Sequence, residues 1–498
     1  MESILQQKVL LLLPILFPIV SGATLLFLKS MDDRKKRQWY VAVVVIANAV
    51  FVLTAIYLGS KEAFVLYEFS EKLSLKFYID GLSMVFGTMV SILWVITTFY
   101  AFEYMKHEGR ERQFFSFFIM TFGVVIGIAF SKNMLTLYLF YEFLTLTTLP
   151  LVMHGDDDKA RHCGRIYLIY MMGGASLAFI GLVFIGIYGT SLDFIMGGIL
   201  DTALAQKDKT MLHVVYLLAF FGFGVKAAIL PFYHWLPTAS VAPTPVTALL
   251  HAVAVVKAGV FAIVRLTYYN FGTEFLQGTW VQNVILAAAA LTIVFGSTAA
   301  LRTPHIKRRY GYSTISNLSY ILFGIALMTP SGLGAGLLHM IYHAVLKITL
   351  FFCAGAILYQ NHREYEYEIE GFGTKMPIVF FSMAVVSIGM AAIPPFAGFH
   401  SKWALATAAV ATGNNFAYIG IGALIVSALL TTLYLFALVI RAYFPRKRQY
   451  PKGYDDAVAD PNKLMTVPLL VLSGISIIIG VYPKPFMEIF DVIAQGML

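Results

Sequence analysis

Four lysines and one glutamate lie in or against apolar runs long enough to cross a lipid bilayer: Lys226, Lys257, Lys347, Lys402 and Glu142. A charged side chain at the centre of a bilayer opposes insertion by about 2.5–3.5 kcal/mol unless it is paired, hydrated or neutralised. Chains of titratable groups inside transmembrane segments are typical of ion paths and proton relays. The chemistry that these residues suggest is therefore movement of protons or ions.

Two histidines and a lysine share one predicted helix face. His339, His343 and Lys347 are spaced at i, i+4 and i+8, which stacks their side chains on one side of a helix. Imidazole titrates near neutral pH and both ring nitrogens exchange protons. Such a pair of histidines also binds zinc, but no Asp or Glu on this helix completes a catalytic site, so we predict a relay and no metal. His251 lies six residues before Lys257, about 120° away around a helix, and a core role and a relay role both stay open for it.

Glu142 and Lys226 are predicted to act as a pair. Glu142 has apolar neighbours for a turn on either side, and its side chain is too short to reach an interface. Lys226 lies about one turn before Pro231 on a later span, and a buried lysine beside a carboxylate can be toggled by moving either partner. The alternative for Lys226 is that it satisfies backbone carbonyls freed by the proline.

The remaining membrane-embedded cations have a simpler alternative. For Lys402, the residues alone leave open an amine that snorkels to the interface. Lys132, Arg265 and Lys484 lie near the ends of predicted spans, where snorkelling is the default.

The composition indicates an integral membrane protein. The 498 residues are 59% hydrophobic and 13% charged, and the mean hydropathy is +0.76. We predict an all-α single membrane domain, 1–498, with about fourteen transmembrane helices. The first run is too long for a signal-peptide core and is read as a retained span. The predicted spans are 9–28, 40–58, 79–103, 113–130, 133–153, 166–188, 212–239, 245–268, 281–301, 312–328, 333–360, 376–411, 418–443 and 466–484.

The formal charge of +9 is carried by basic residues in short loops, which indicates membrane orientation and not nucleic-acid binding. These residues follow odd-numbered spans. By the positive-inside rule those loops are cytoplasmic, so both termini are predicted on the outer face. The residues are Arg34, Lys35, Lys36, Arg37, Lys106, Arg110, Arg112, Lys159, Arg161, Arg165, Lys307, Arg308, Arg309, Arg446, Lys447, Arg448 and Lys452.

Two predicted spans contain internal prolines, Pro231 in one and Pro394 with Pro395 in the other. Proline removes a backbone donor, so each helix should break there. The segment 226–232 aligns with 390–396 around a shared Ala-Ala-Ile-x-Pro-Phe core, five predicted spans later. Because five is odd, we predict two inverted five-helix repeats, 113–268 and 281–443, each with a proline-broken helix. Paired breaks of this kind point to a transport pathway.

No cofactor is predicted. The chain has no Gly-rich dinucleotide loop and no haem signature, and Cys163 and Cys353 lack metal-ligand spacing. Any redox chemistry is therefore expected in partner chains, and these residues do not decide whether the assembly is an enzyme.

Five segments carry a recognisable combination of motifs: Tyr141–Leu144, Lys226 before Pro231–Pro237, His251–Gly259, His339–Lys347 and Ile393–Lys402. Together they resemble the antiporter-like subunits of respiratory complex I, of Mrp cation/proton antiporters and of membrane-bound energy-converting hydrogenases. The resemblance implies that Glu142 pairs with Lys226, that Lys257 and Lys347 carry protons laterally, and that Lys402 gates exchange with one side.

Within that family, the chain resembles the Mrp D subunit or its hydrogenase counterpart most. The resemblance rests on Lys402, on a length near 500 residues and on the lack of a long lateral helix. The expectation is a proton-conducting subunit in a prokaryotic plasma membrane, working with other membrane subunits. The sequence does not distinguish proton conduction alone from Na⁺/H⁺ exchange.

Three other functions make different demands on the sequence. An independent carrier of an organic solute would need polar groups at the breaks, where the sequence is almost featureless. An oxidoreductase that handles quinone or hydride itself would need motifs that the chain lacks. A structural spacer with relic lysines predicts that Lys226→Ala leaves pumping intact.

Overall fold

The computed structural model describes residues 2–59, 62–155, 157–445 and 458–497. The basic residues Arg446, Lys447, Arg448 and Lys452, which contribute to the predicted orientation, lie outside the described residues. Within the described ranges the chain is almost entirely helical. The helices are α1 Glu2–Phe27, α2 Arg34–Leu58, α3 Gly81–Tyr104, α4 Glu111–Ala129, α5 Met134–Val152, α6 Asp158–Tyr188, α7 Thr202–Lys207, α8 Lys209–Lys226, α9 Trp235–Thr238, α10 Thr244–Ala252, α11 Val255–Val264, α12 Thr273–Leu276, α13 Trp280–Arg302, α14 Ile306–Ala326, α15 Pro330–Asn361, α16 Pro377–Ala391, α17 Ala397–Thr412, α18 Asn415–Tyr443, α19 Lys463–Val481 and α20 Lys484–Ala494.

The remaining regular elements are short. A π-helix, Arg265–Phe271, continues α11. Two strands, β1 Phe64–Glu68 and β2 Ser74–Phe77, form an antiparallel hairpin between α2 and α3 in which Phe64 faces Phe77. Short 3₁₀ turns are Lys29–Asp32, Ala239–Val241, Glu366–Glu368 and Phe372–Thr374.

The predicted class is confirmed in its broader form: the described residues form a nearly all-helical integral membrane protein, to which the hairpin of β1 and β2 is an addition that was not predicted. Within the described ranges, 12 helical segments are long and apolar enough to span a membrane. The predicted spans 312–328 and 376–411 are not among those segments, so the number fourteen stays a prediction. The first of these spans corresponds to α14, which begins at Ile306, so Lys307 and Arg309 lie in its first turns and not in a loop.

Polar residues fix where several helices begin. The side chain of Asn133 accepts a hydrogen bond from Thr136 N before α5. The side chain of Thr329 accepts a hydrogen bond from Gly332 N before α15. These N-caps satisfy amides that have no partner within the helix.

The centre of the bundle is built from α10, α11 and α15. Every residue from Thr244 to Phe271 is buried, and α15 packs against α10, α14, α16, α17, α19 and α20. A helix that is apolar all round is expected in such a central place. The predicted span 245–268 is interrupted between α10 and α11 at Val253 and Ala254, which the sequence pattern did not indicate.

Both predicted proline breaks are present, and their local backbones match. The first lies between α8 and α9, and the second between α16 and α17. Ala228 and Ala392 have positive φ angles of 54° and 64°, and the peptide bonds before Pro231 and Pro395 are cis. The backbone amide-to-carbonyl bonds pair residue by residue: Ala228–Val225 with Ala392–Gly389, Ile229–Gly224 with Ile393–Ile388, and Phe232–Ile229 with Phe396–Ile393. The inverted five-helix repeats around these breaks stay a prediction.

The snorkelling prediction is wrong for Arg265. Its side chain is 1% exposed and donates to both carboxylate oxygens of Asp80, at 2.5 and 2.8 Å. Asp80 caps α3, so the ion pair ties the end of α11 to the start of α3. Lys132 is partly buried and donates to Phe194 O at 3.3 Å, whereas Lys484 is 86% exposed.

Candidate functional site

The Lys226 amine is held by α5. Lys226 is the last residue of α8 and is 1% exposed. Its Nζ donates to Tyr141 O at 2.9 Å and to Thr145 Oγ1 at 2.8 Å. The Tyr141 ring centroid lies 3.5 Å from the same nitrogen, close enough for a cation–π contact. An ammonium at this position is therefore stabilised without a carboxylate in contact.

Other residues satisfy the polar groups at the first break. The Trp235 indole donates to Val225 O at 2.7 Å, and Leu230 N donates to Thr292 Oγ1 at 3.2 Å. The alternative that Lys226 satisfies carbonyls freed by the proline does not match this arrangement, because its carbonyl partner belongs to α5.

Glu142 lies beside the Lys226 amine but does not touch it. Glu142 directly follows Tyr141 on α5, and its Oε1 is buried without a hydrogen-bond partner among the described residues. The predicted direct contact with Lys226 is not formed in this structure, since Thr145 and Tyr141 bind the amine instead. The two residues are nevertheless within one turn of a common anchor on α5.

A second group of titratable side chains forms a buried row, connected by two hydrogen bonds and one pair of neighbouring imidazole rings. The Lys257 Nζ and the His343 Nδ1 are hydrogen-bonded. The rings of His343 and His339 stack with centroids 6.2 Å apart. His339 Nδ1 and Ser401 Oγ are 2.9 Å apart, and Lys402 is the next residue. We call Lys257, His343, His339, Ser401 and Lys402 the buried row; it links α11, α15 and α17.

Lys402 is buried, not interfacial. It is 8% exposed, and its Nζ donates to Met390 O at 2.8 Å, with the Tyr320 ring centroid 5.2 Å away. The interface alternative is therefore wrong. Lys402 satisfies a carbonyl in the last turn of α16, and Met390 is the residue that aligns with Lys226 in the first break.

Lys347 on α15 contacts α14, and His251 on α10 packs against α15. Lys347 Nζ donates to Tyr310 O at 3.2 Å. The His251 ring packs edge-on against Phe351 at 4.9 Å, and both its nitrogens are buried without a partner in the described part of the chain. As expected, His251 makes no hydrogen bond with Lys257, whose amine contacts α15 instead.

Two glycines allow the close packing at these residues. A Cβ on Gly259 would lie 2.8 Å from Ala227 N and 3.0 Å from Lys226 Cβ, so α11 and α8 are in direct backbone contact beside Lys226. A Cβ on Gly311 would lie 3.3 Å from Ser240 Oγ and 3.5 Å from His251 Cε1.

The structure places all eight predicted site residues on the contiguous helices α5, α8, α10, α11, α15 and α17.

Sequence reasoning missed several polar residues around the site. Thr145 and Ser401 contact predicted residues directly. Lys307, a predicted loop residue, is 6% exposed and donates to Ala242 O at 2.8 Å. Ser240 and Lys307 line a cavity of 180 Å³ together with Tyr104, Glu108, Lys159, Val241, Ala242, Pro243, His305, Arg308, Leu358 and Glu364; we call it the polar cavity. Thr145 had a readable signal, because it follows Glu142 at the i+3 spacing of one helix face.

Broken helices, buried lysines on several neighbouring helices and a histidine-containing row define a multi-pass membrane protein of the antiporter-like class. The chain matches the family described as "NADH:quinone oxidoreductase/Mrp antiporter, TM" over residues 131–431, more than half of its length. It belongs to that family. Residues 69–115 match the family described as "NADH-Ubiquinone oxidoreductase (complex I), chain 5 N-terminus".

Individual relatives agree with this assignment. The chain is 29% identical over 97% of its length to the A/B subunit of a probable K⁺/H⁺ antiporter from Rhizobium meliloti (strain 1021), and it covers 48% of that protein. It is 27% identical over 82% of its length to the A1 subunit of a Na⁺/H⁺ antiporter from Staphylococcus haemolyticus (strain JCSC1435), covering 52% of it. The chain therefore spans about half the length of these curated relatives. A chain in the structure of the Mrp complex from Dietzia sp. DQ12-45-1b has the same fold, with a TM-score of 0.81, 20% identity and coverage of 99% and 97% of the two chains.

Proposed function

We propose that this chain is a proton-conducting subunit of a multi-subunit ion-translocating complex. The observation that carries the proposal is the buried row between α11 and α17: Lys257 is hydrogen-bonded to His343, His339 is hydrogen-bonded to Ser401, and the two histidine rings stack with centroids 6.2 Å apart. Titratable groups at hydrogen-bonding distance within a membrane bundle can pass protons by exchanging partners, and the step between the two histidines would require a side-chain movement.

The Glu142 and Lys226 pair would control entry to this row. The Lys226 amine is bound by Thr145 and Tyr141, while the neighbouring Glu142 has an Oε1 with no hydrogen-bond partner among the described residues. Swinging the amine from Thr145 to Glu142 would convert this arrangement into an ion pair. Because α11 packs directly on α8 at Gly259, that change of charge would act on Lys257 through the buried, weakly screening interior of α11.

Two cavities lie at opposite ends of the proposed path. The polar cavity includes Ser240, whose hydroxyl and the His251 ring both approach Gly311. Its rim carries basic residues that the positive-inside rule assigns to the cytoplasm. A second cavity of 340 Å³ between α15, α17 and α20 is lined by His400 and Asp491, next to Ser401 in the sequence. These cavities would give the row access to both membrane faces.

The proposed complex is most like an Mrp antiporter, through its D subunit, or the equivalent part of a membrane-bound hydrogenase or complex I-like enzyme. Lys402 supports this choice through the resemblance, although the curated relatives above are A-type subunits. Membrane partner subunits would supply the driving reaction or cation gradient, in a prokaryotic plasma membrane with both termini outside. Na⁺/H⁺ exchange is included in the proposal because one relative is named for it.

Carriage of an organic solute is less well supported. Ala227, Ala228 and Ile229, at the first break, are fully buried and apolar. A solute site at a broken helix needs polar groups that match the solute.

The test is proton uptake by vesicles that contain the whole complex. Glu142→Gln and Lys226→Ala are each expected to reduce uptake to background, because either change removes one side of the pair. Lys484→Ala, an exposed lysine, is the control and should leave uptake unchanged. Uptake that survives both substitutions would overturn the proposal, and a solute-dependent current in its place would favour the carrier. Repeating the assay with and without an opposing Na⁺ gradient separates conduction from exchange.

A further inference from the structure

A basic pocket lies at one end of the bundle, away from the candidate proton path. It has a volume of 550 Å³ and is formed where α1 ends, α2 begins, α3 ends and α4 begins. We call it the basic pocket. Its lining residues are Asp32, Arg34, Arg37, Lys106, Gly109, Arg110, Glu111, Arg112 and Gln113.

The ion pairs at the pocket leave an excess of positive charge. Glu111 is shared by Arg34 at 2.6 Å and Arg37 at 2.5 Å. Arg112 pairs with Asp32 at 2.9 Å, and Lys106 pairs with Glu103 at 2.6 Å. In these pairs, four cations face three carboxylates.

One of the arginines, Arg37, is buried inside the protein. Arg37 is 5% exposed, and its Nε is buried with no hydrogen-bond partner among the described residues. The loop before α4 is fixed by His154, whose Nε2 lies 3.0 Å from Gly109 O. Burial lowers the pKa of His154, so this imidazole adds no charge of its own near neutral pH. The N-termini of α2 and α4 meet at the same place and favour an anion further.

Exposed aromatic rings place the pocket at the level of lipid headgroups. Phe27 at the end of α1 is 82% exposed, and Trp39 in α2 is 74% exposed. Trp39 follows Arg34 by five residues within α2, a rise of about 7.5 Å, and Phe27 ends α1 five residues before Asp32. Large apolar and indole rings at that depth are typical of the boundary between acyl chains and headgroups.

We propose that the basic pocket binds the phosphate of an anionic membrane lipid. Basic pockets between transmembrane helices on the cytoplasmic side are suited to such headgroups. The bound lipid would join the ends of four helices that meet there. Free inorganic phosphate offers the same anionic oxygens but no acyl chains to lie against Phe27 and Trp39.

The test uses the purified complex in detergent, stripped of lipid and titrated with phosphatidylglycerol, phosphatidylcholine of the same chains, or inorganic phosphate, with bound lipid counted by native mass spectrometry. The unmodified complex is expected to retain phosphatidylglycerol selectively. Arg34→Gln with Arg112→Gln should weaken that binding about 25-fold, at about fivefold for each basic residue removed. Glu111→Gln removes a carboxylate and should tighten it.

A control variant and the comparison of the three ligands decide the outcome. Arg161→Gln with Arg165→Gln, at the start of α6, removes two exposed arginines from a region that the positive-inside rule assigns to the same face and should leave affinity unchanged. Equal retention of both lipids, equal losses in the control, or competition by inorganic phosphate at the affinity of the lipid would each overturn the proposal. If the double arginine variant does not fold, Arg34→Gln alone still decides, because Glu111 keeps Arg37 as its partner and unchanged binding would contradict the charge argument.

Discussion

Replacing Thr145 by valine keeps the shape of the side chain but removes the hydroxyl that accepts a hydrogen bond from Lys226 Nζ at 2.8 Å. A hydrogen bond to a charged group contributes about 1.5–3 kcal/mol. Losing it should shift the Lys226 amine from the Thr145 position toward Glu142 by a factor of about 10 to 150. If turnover requires both positions, as proposed, trapping the amine on Glu142 should slow proton uptake by the reconstituted complex by about tenfold or more.

Two variants on the same helix make this experiment specific. Thr145→Ser retains the hydroxyl and should restore most of the rate. Thr148→Val removes an equally buried hydroxyl whose partners are Leu144 O at 2.6 Å and Tyr167 Oη at 2.7 Å, so it should leave the rate near normal. An unchanged rate in Thr145→Val, or a loss in Thr145→Ser or Thr148→Val as large as the loss in Thr145→Val, would refute the reasoning.

Three further changes test other parts of the site. Gly311→Ala should slow uptake several-fold while the complex still assembles, because the new methyl group fills the space between Ser240 and His251; uptake and assembly are measured on the same preparations. Ser401→Ala removes the hydroxyl that contacts His339 and should reduce uptake, with only a small fall in the melting temperature from the lost hydrogen bond. Arg265→Gln strands the carboxylate of Asp80 and should destabilise the chain by about 3–5 kcal/mol, which thermal unfolding of the complex would detect.

Each of these changes has a matched control. Gly336→Ala places a Cβ 3.2 Å from Ile321 O, as tight as at Gly311 but away from the polar cavity, so equal slowing there would remove the case for Gly311. Ser387→Ala also deletes a buried hydroxyl, one without a hydrogen-bond partner in the described ranges; equal effects of the two serine changes would exclude a specific role for Ser401. Arg302→Gln, at an exposed helix end, should leave stability unchanged, and a stable Arg265→Gln protein would contradict the ion-pair argument.

The sequence predicted the features that follow from strong local physics. A proline within a membrane-spanning helix removes a backbone hydrogen-bond donor and disrupts the helix, so the breaks at Pro231 and Pro395 could be predicted from the sequence. The cost of burying charge identified Lys226, Lys257 and Lys347 as interior residues, and the structure buries all three. For Lys402 the residues alone left an interfacial position open, and the structure buries it as well.

The missed features depend on contacts between distant segments. The interruption at Val253 and Ala254 contains neither proline nor glycine, so no local signal marked it. The prediction for Arg265 is wrong because its partner, Asp80, lies 185 residues away. The hydrogen bond from Lys226 to Thr145, and not to Glu142, likewise depends on how α8 packs against α5, which the sequence does not show.

The two helix breaks share one backbone structure but carry their amines on opposite halves. Lys226 ends the upstream half-helix α8, whereas Lys402 belongs to the downstream half-helix α17 and reaches back to Met390 O on α16. Suppose each break acts as a hinge and its downstream half tilts. In the first break the amine would stay with its anchors on α5, and in the second the amine would be pulled away from its carbonyl. The same tilt at both breaks would therefore leave the Lys226 amine bound and release the Lys402 amine. The two halves of the chain would respond differently to one movement.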